Sequence, residues 1–542
     1  MSESKLLRGT FILTLGTYIS RILGMIYLFP FYYLVGDVGL ALYQYGYGQY
    51  TIFLAFSTIG VPAAVSKFVS KYNSLGDYHT SRRMLKSGLI AMSITGLLSF
   101  LLLYSLAPVL APLQLGGNSL DNSVEDVTMV IRMVSFALLI VPIMAVIRGF
   151  FQGHQSMGPT ALSQVVEQIV RVVFLLSTSF VILKLLDGKQ STAVGFATFA
   201  AFAGAVGGLG VLIWYWFKRK PYLDELLSTS KSQTEMTTKD MFKEILSYAG
   251  PFVFVGLAIP LYQYVDQYTF NRAMVSIGEG ENSESLFGIV TSMVPKLVMI
   301  PVSLATAFSL TLVPTITNSY TSRDFTQLRQ QIDKTFQICV LLVLPAVVGL
   351  SVLAYPIFGT FFEISEAGGR ILRWYAPVAL LFSFFSITAA IMQGINKQRF
   401  AVISLVVGLL LKIIFNVPFI IWFEEIGSIL ATALGFFISI SYNFIIITKH
   451  AGYKFELFIR RSFLMVIFTS LMSISILASQ WLLSFGITYN DGRLQSGILM
   501  IIGVVVGGAA YLYLAYRTRL LEILLGNRFS FLSKGNKKKA VQ

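Results

Sequence analysis

Charge is scarce in this chain: only 12% of its 542 residues are Asp, Glu, Lys or Arg, about half the share found in soluble domains. Cysteine occurs once, as Cys339, so neither an internal disulfide nor a cysteine-based metal centre can form. The three histidines, His79, His154 and His450, fall in expected connections, and none has a second histidine at ligand spacing. Long polar segments are also few. An enzyme acting outside a membrane needs a sizeable external loop with carboxylates at fixed spacing, and no such loop exists here. No cofactor is expected, and catalysis is not expected either.

Apolar runs take up most of the rest. Fourteen segments can be marked, at 9–34, 41–65, 87–112, 126–149, 159–184, 193–217, 245–270, 286–316, 335–361, 372–393, 400–423, 427–448, 461–484 and 496–516. Each is long enough to cross a bilayer as a helix. The first has no small-residue cleavage site and is expected to be retained. The chain therefore reads as an all-α polytopic membrane protein with fourteen transmembrane helices.

The net charge of +15 follows from topology rather than from a nucleic-acid partner. Most Lys and Arg fall at the N-terminus, in alternate connections such as "KHAGYKFELFIRR", and in the tail "GNKKK". The intervening connections, "GGNSLDNSVEDV", "SIGEGENSES" and "EISEAGG", hold few. The positive-inside rule then places both termini in the cytoplasm and requires an even number of spans.

A repeat divides the chain. "QGHQSMGPTALSQVVEQIVRVVF" from Gln152 aligns without a gap onto "QGINKQRFAVISLVVGLLLKIIF" from Gln393, an offset of 393 − 152 = 241 residues. The two stretches sit six segments apart, so the halves run parallel. The expected organisation is an N-terminal six-helix bundle (1–217), a cytoplasmic linker (218–243), a second six-helix bundle (244–450), two appended helices (451–518) and a basic tail (519–542). Parallel repeats of this kind are typical of transporters, with the substrate path between the halves.

Charges inside the spans point to the cargo. Arg132, Lys184 and Arg373 lie near outer ends, where they can snorkel to the interface. Arg21, Arg171, Lys296 and Lys412 lie near mid-depth. Glu167, one turn before Arg171, is expected to pair with it; the equivalent of Glu167 in the second half is Gly408, which leaves Lys412 without a local acid. Asp266 is a further embedded carboxylate, free to pair with a cation or to bind an ion. The surplus of positive charge predicts a water-filled basic cavity and an anionic substrate. A diphosphate suits it, since arginine offers a fork and lysine a point charge. Lys296 sits between Pro295 and Pro301, where a bent helix can act as a gate.

Three features carry a resemblance: "ISRILGM" near the start, "PKLVMIPVSLATAFSLTLVPTI" in the eighth segment, and the fourteen-span layout. They resemble the MurJ-type lipid II flippases of the multidrug/oligosaccharidyl-lipid/polysaccharide exporter superfamily. "GLALYQYGYGQYTIFLAFSTIGVPAAVSKFVSKY" looks most like the Gram-positive YtgP- and SpoVB-like branch. The resemblance implies a carrier that moves undecaprenyl-pyrophosphate-linked precursor from the inner to the outer leaflet, with basic residues in a central cavity. Arg21 matches the arginine of the family's Ser-Arg-x-Leu-Gly motif, and Lys296 falls where the family has an arginine. Two further family arginines are replaced, by Tyr27 and near Phe53. Arg171 and Lys412 are expected to compensate. Some members bind sodium through helices seven, eleven and twelve, and Asp266, Asn416 and Thr432 could match that pattern, although Ile420 replaces an expected carboxylate. The appended helices imply a groove for the lipid tail.

The expected partners are the lipid-linked oligosaccharide, membrane lipids and proteins of cell-wall synthesis. Coupling stays open between membrane potential, Na+ and H+. A carrier of another undecaprenyl-linked glycan is the closest rival. A cation-coupled drug exporter is further off, because its cavity should be acidic.

Overall fold

The computed structural model describes residues 3–58, 61–115, 120–230, 254–518 and 520. No strand occurs among them. In a bilayer the backbone must satisfy its own hydrogen bonds, and a chain this apolar does so through helices. The chain divides into two compact units, Met1–Ser292 and Met293–Gln542.

The first unit contains α1 (Glu3–Ile26), α2 (Leu28–Thr58), α3 (Val61–Ser74), α4 (Tyr78–Leu115), α5 (Val124–Ser135), α6 (Val141–Gly153), α7 (Met157–Phe180), α8 (Gln190–Ser228), α9 (Ala258–Ser276) and α10 (Gly280–Gly288). A capping box starts α5, where Ser123 accepts from the Asp126 amide and Asp126 accepts from that of Ser123. Val65, Phe68, Met84, Val146 and Phe150 form a buried cluster where α3, α4 and α6 meet. Gly204 and Gly208 let α8 lie close against α7, because a Cβ at Gly204 would come within 2.7 Å of the Glu167 carbonyl.

The second unit contains α11 (Val294–Thr321), α12 (Phe325–Val352), α13 (Ala354–Phe361), α14 (Glu366–Tyr375), α15 (Val378–Gly394), α16 (Gln398–Phe423), α17 (Glu425–Ala451), α18 (Glu456–Leu483) and α19 (Arg493–Arg517). Phe436 of α17 meets Phe382 and Phe385 of α15 edge-on at centroid distances of 4.8 and 5.3 Å. Gly452, with φ +60°, ends α17 in the left-handed conformation that favours glycine. Helices α18 and α19 pack together and correspond to the appended pair. Phe463, Trp481, Leu482 and Val505 are all well exposed on them, as a lipid-facing surface requires.

Twelve stretches among the described residues are long and apolar enough to cross a membrane. One of them, Leu15–Thr58, holds the first two expected segments, which part at a kink where Gly36 has φ +64°. The seventh expected segment, 245–270, begins outside the described residues, and its part from Ala258 onward lies in α9. The layout is therefore consistent with fourteen spans. Part of the expected linker, 231–243, also lies outside the described residues, as does nearly all of the basic tail.

Candidate functional site: basic residues within the helices

In the first unit α1 packs along α7. Thr17 Oγ1 donates to Gln164 Oε1 at 3.2 Å, and Gly16 lies against Ala161. Arg21 follows Thr17 by one helical turn, and its side chain is exposed. Among the described residues it has no hydrogen-bond or ion-pair partner.

Arg171 does not pair with Glu167, contrary to the expectation from their spacing. Glu167 is taken by Arg148, whose Nη2 lies 2.7 Å from the carboxylate. The same guanidinium donates to Ser163 Oγ at 2.7 Å, and Ser163 in turn donates to the Gly208 carbonyl at 3.0 Å. Arg148 ends the fourth apolar segment, and it was overlooked in sequence because it sits at the segment's edge. It wins because the pair forms between α6 and α7, and its guanidinium reaches Ser163 as well.

Arg171 is instead held by tyrosines. It donates to Tyr43 Oη at 2.8 Å and to Tyr47 Oη at 3.1 Å, and its guanidinium carbon lies 4.8 Å from the Tyr47 ring centre. Tyr43 and Tyr47 are stacked, with centroids 5.5 Å apart. Tyr27 Oη lies 3.3 Å from Tyr43 Oη. Tyr27, which stands where the resemblance implies an arginine, thus belongs to a hydroxyl chain ending on Arg171. A neutral cradle leaves the positive charge of Arg171 uncancelled, and the ring faces favour a cation. The signal for it in the sequence was "YQYGYGQY", with its run of tyrosines.

In the second unit Lys296 is half-buried in the first turn of α11, with no hydrogen-bond or ion-pair partner among the described residues. Lys412 departs from the expectation of a cation open to water. It is fully buried, and its Nζ donates to the Ser428 carbonyl at 2.7 Å and to Thr432 Oγ1 at 2.8 Å. A lysine on α16 with no acid one turn before it reaches across to the oxygens of α17. The three residues named for sodium are all buried: Asp266 on α9 of the first unit, and Asn416 and Thr432 on α16 and α17 of the second. Thr432 already accepts from Lys412 and donates to the Ser428 carbonyl. Among the described residues no cluster of three or more His, Cys, Asp or Glu is placed to hold a metal ion.

The second unit also carries an apolar cavity of about 400 Å³ between α11, α12, α18 and α19, lined by Leu297, Pro301, Pro345, Met472, Gly503 and Leu512 among others. Its lining suits an alkyl or polyprenyl chain.

An all-helical, multi-pass fold with basic residues inside its helices is the fold that this chain shares with solved membrane transporters. The chain resembles the lipid II flippase MurJ in an inward closed conformation, with a TM-score of 0.64 at 16% identity, covering 95% of this chain and 100% of that one. An inward-facing multidrug resistance MATE family transporter of the MOP superfamily gives 0.62 at 16% identity, with 78% and 94% covered. Residues 6–320 match the family model described as polysaccharide biosynthesis protein, and residues 251–417 match MatE. The lipid II flippase MurJ of Bacillus subtilis (strain 168) is 55% identical over 98% of this chain and 99% of its own length. The chain belongs to the MurJ family within the polysaccharide biosynthesis proteins, and it is a multi-pass bacterial membrane protein.

Proposed function

We propose that this protein moves lipid II, the undecaprenyl-pyrophosphate-linked peptidoglycan precursor, from the inner to the outer leaflet by alternating access. The observation that carries this reading is the end-to-end similarity, at 55% identity, to a protein named as a lipid II flippase. The exposed Arg21, the tyrosine-cradled Arg171 and the half-buried Lys296 bind the pyrophosphate. Arg148 and Glu167 cancel one another and fix α6 to α7. Lys412 joins α16 to α17 through the Ser428 carbonyl and Thr432 Oγ1. The sugar head stays hydrated, and the polyprenyl tail lies in the apolar cavity between α11, α12, α18 and α19.

The sequence-related bundles, 1–217 and 244–450, rock with both termini in the cytoplasm. An empty, positively charged site is drawn back inward by an inside-negative potential, worth roughly 2.3 kcal/mol per charge per 100 mV. Collapsing the potential in intact cells should therefore slow flipping, and if it does not, Na+ or H+ coupling takes its place. Proteins that make and polymerise the precursor are the expected partners.

Binding of purified protein to lipid II, to a polyprenyl pyrophosphate bearing another glycan, and to a lipophilic cationic dye tests the reading, each with wild type and Arg21→Ala. Tight lipid II binding that Arg21→Ala abolishes is the expected result. Preference for the other glycan would reassign the cargo. Binding of the dye alone, indifferent to Arg21, would overturn the flippase reading.

A further inference from the structure

At the end of the first unit that holds the kink at Gly36 and the connections with few Lys or Arg, a polar cluster is largely buried. Glu284 of α10 is 1% exposed. Its carboxylate accepts from Tyr45 Oη at 3.0 Å, from the Asn122 backbone amide at 2.8 Å and from Asn122 Nδ2 at 3.1 Å. Asn271 of α9 donates to Tyr45 Oη and, at 3.3 Å, to the Gln114 carbonyl. Gln267, also on α9, donates to the Tyr45 carbonyl at 2.8 Å and to Gln114 Oε1. Ser285 donates to Asp37. The Tyr45 and Phe287 rings stack with centroids 5.0 Å apart. Tyr45, Gln114, Gln267 and Asn271 are each no more than 2% exposed.

Every one of these bonds joins the two halves of the sequence repeat. Asp37, Tyr45, Gln114 and Asn122 belong to the first half, and Gln267, Asn271, Glu284 and Ser285 to the second. Packing at this end groups α9 and α10 with the N-terminal helices. A permanent helix contact inside a membrane would need no carboxylate, since burying one is costly unless it is fully bonded. A seal that must open repeatedly is better made of polar groups. Its bonds have a small net worth because water replaces them on opening, whereas parted apolar surface would expose area at about 25 cal/mol per Å².

Resting on the alternating-access reading above, we infer that Glu284 is the latch of an outer gate. Its carboxylate, held by Tyr45 and Asn122, keeps the outer ends of the two halves together while the protein faces inward. When the gate opens, the carboxylate passes into outer water. Glu284 is a positioning residue: it sets the balance between inward- and outward-open states and does not touch the cargo.

The test is cysteine accessibility in the full-length protein. Cys339, the only native cysteine, is replaced by serine. The buried Ser292, whose hydroxyl reaches the Leu40 carbonyl at 3.4 Å, is replaced by cysteine and labelled in intact cells with a membrane-impermeant maleimide. Glu284→Gln keeps the side-chain size but turns an amide N–H₂ toward a donor, and it should speed outside labelling by about tenfold. Tyr45→Phe keeps the stacking on Phe287, removes one donor, and should act in the same direction more weakly. It serves as the test if Glu284→Gln does not accumulate. A cysteine at Thr17, probed from the cytoplasmic side of inside-out vesicles, should label more slowly in the same variants, because an outward shift closes the inner side.

Unchanged outside labelling in both variants would overturn the latch. So would faster labelling at both positions, which signals general loosening. None of these readings uses lipid II. A chain that failed to bind lipid II but showed the opposed shifts would keep the latch and lose the cargo assignment. A chain that bound lipid II without the shifts would keep the cargo and lose the latch.

Discussion

Arg171 and Lys412 occupy the same place in the two halves of the repeat, 241 residues apart (412 − 171), yet their surroundings differ. Arg171 is half-buried and bonded to two phenol hydroxyls, one of whose rings it also approaches face-on. Lys412 is fully buried and bonded to a helix carbonyl and a threonine hydroxyl. The cause lies one turn earlier and one helix away. Glu167 precedes Arg171 but is occupied by Arg148, so the arginine turns to the tyrosines of α2. At the position equivalent to Arg148 stands Ala389, and at that of Glu167 stands Gly408. With no acid one turn before it on α16, the flexible lysine stem reaches the oxygens of α17. A duplicated position thus lies in a neutral tyrosine cradle in one half and bonded across two packed helices in the other.

The largest effect expected is on stability, at Lys412. Lys412→Ala leaves a cavity between α16 and α17 and should cost about 2–4 kcal/mol. Lys412→Met fills the same space without a charge to bury and should stay within about 1.5 kcal/mol of wild type. Unfolding midpoints of the purified protein in detergent would show this order. If Lys412→Met lost lipid II binding while unfolding normally, Lys412 would be a second presented charge and the contrast with Arg171 would fail.

Arg171 should behave in the opposite way. Arg171→Ala should unfold near wild type but bind lipid II about 10- to 100-fold more weakly, the worth of a hydrogen bond to a charged group. Tyr43→Phe keeps the stack on Tyr47 and removes one hydroxyl that orients the guanidinium, so a smaller loss, about three- to tenfold, is expected. Titration with lipid II measures both. A large stability loss with intact binding in Arg171→Ala would make it a structural tie like Lys412.

The helical, many-span fold was legible because apolar run length and loop charge are properties of single segments. The residues inside the spans were legible as charges, and Arg21 and Lys296 could be singled out without a tertiary structure. What each charge meets was not legible. The local rule that pairs Glu167 with Arg171 is sound for an isolated helix, and it failed because a guanidinium from α6 competes for the same carboxylate. The burial of Lys412 depends on oxygens of α17 that no spacing along α16 reveals. Glu284 was passed over for a similar reason: in sequence it is one acid in a polar loop, and only the approach of Tyr45 and Asn122, 239 and 162 positions away, makes it a buried group.

The smallest effect expected tests the same duplication at the turn that follows the Gln-Gly pair. His154 follows the Gln-Gly pair in the first half, and Ile395 is its equivalent in the second. The ring lies 4.3 Å from that of Phe150, and Nδ1 is 3.1 Å from the Phe150 carbonyl. Burial holds its pKa below the usual 6.5, against the backbone bond that raises it and with help from Arg219 and Arg82. A histidine held neutral in the folded chain binds fewer protons there than when unfolded, so stability rises with pH across the interval between the two values. Its contribution is complete above about 6.5 and shrinks as the pH falls below that value toward the folded one. The unfolding midpoint should therefore drop between about pH 7.5 and pH 5, and His154→Ile, which copies Ile395, should flatten that part of the profile. If the slope survived the substitution, the pH-sensitive group would lie elsewhere, and His154 and Ile395 would be equivalent packing residues despite their different chemistry.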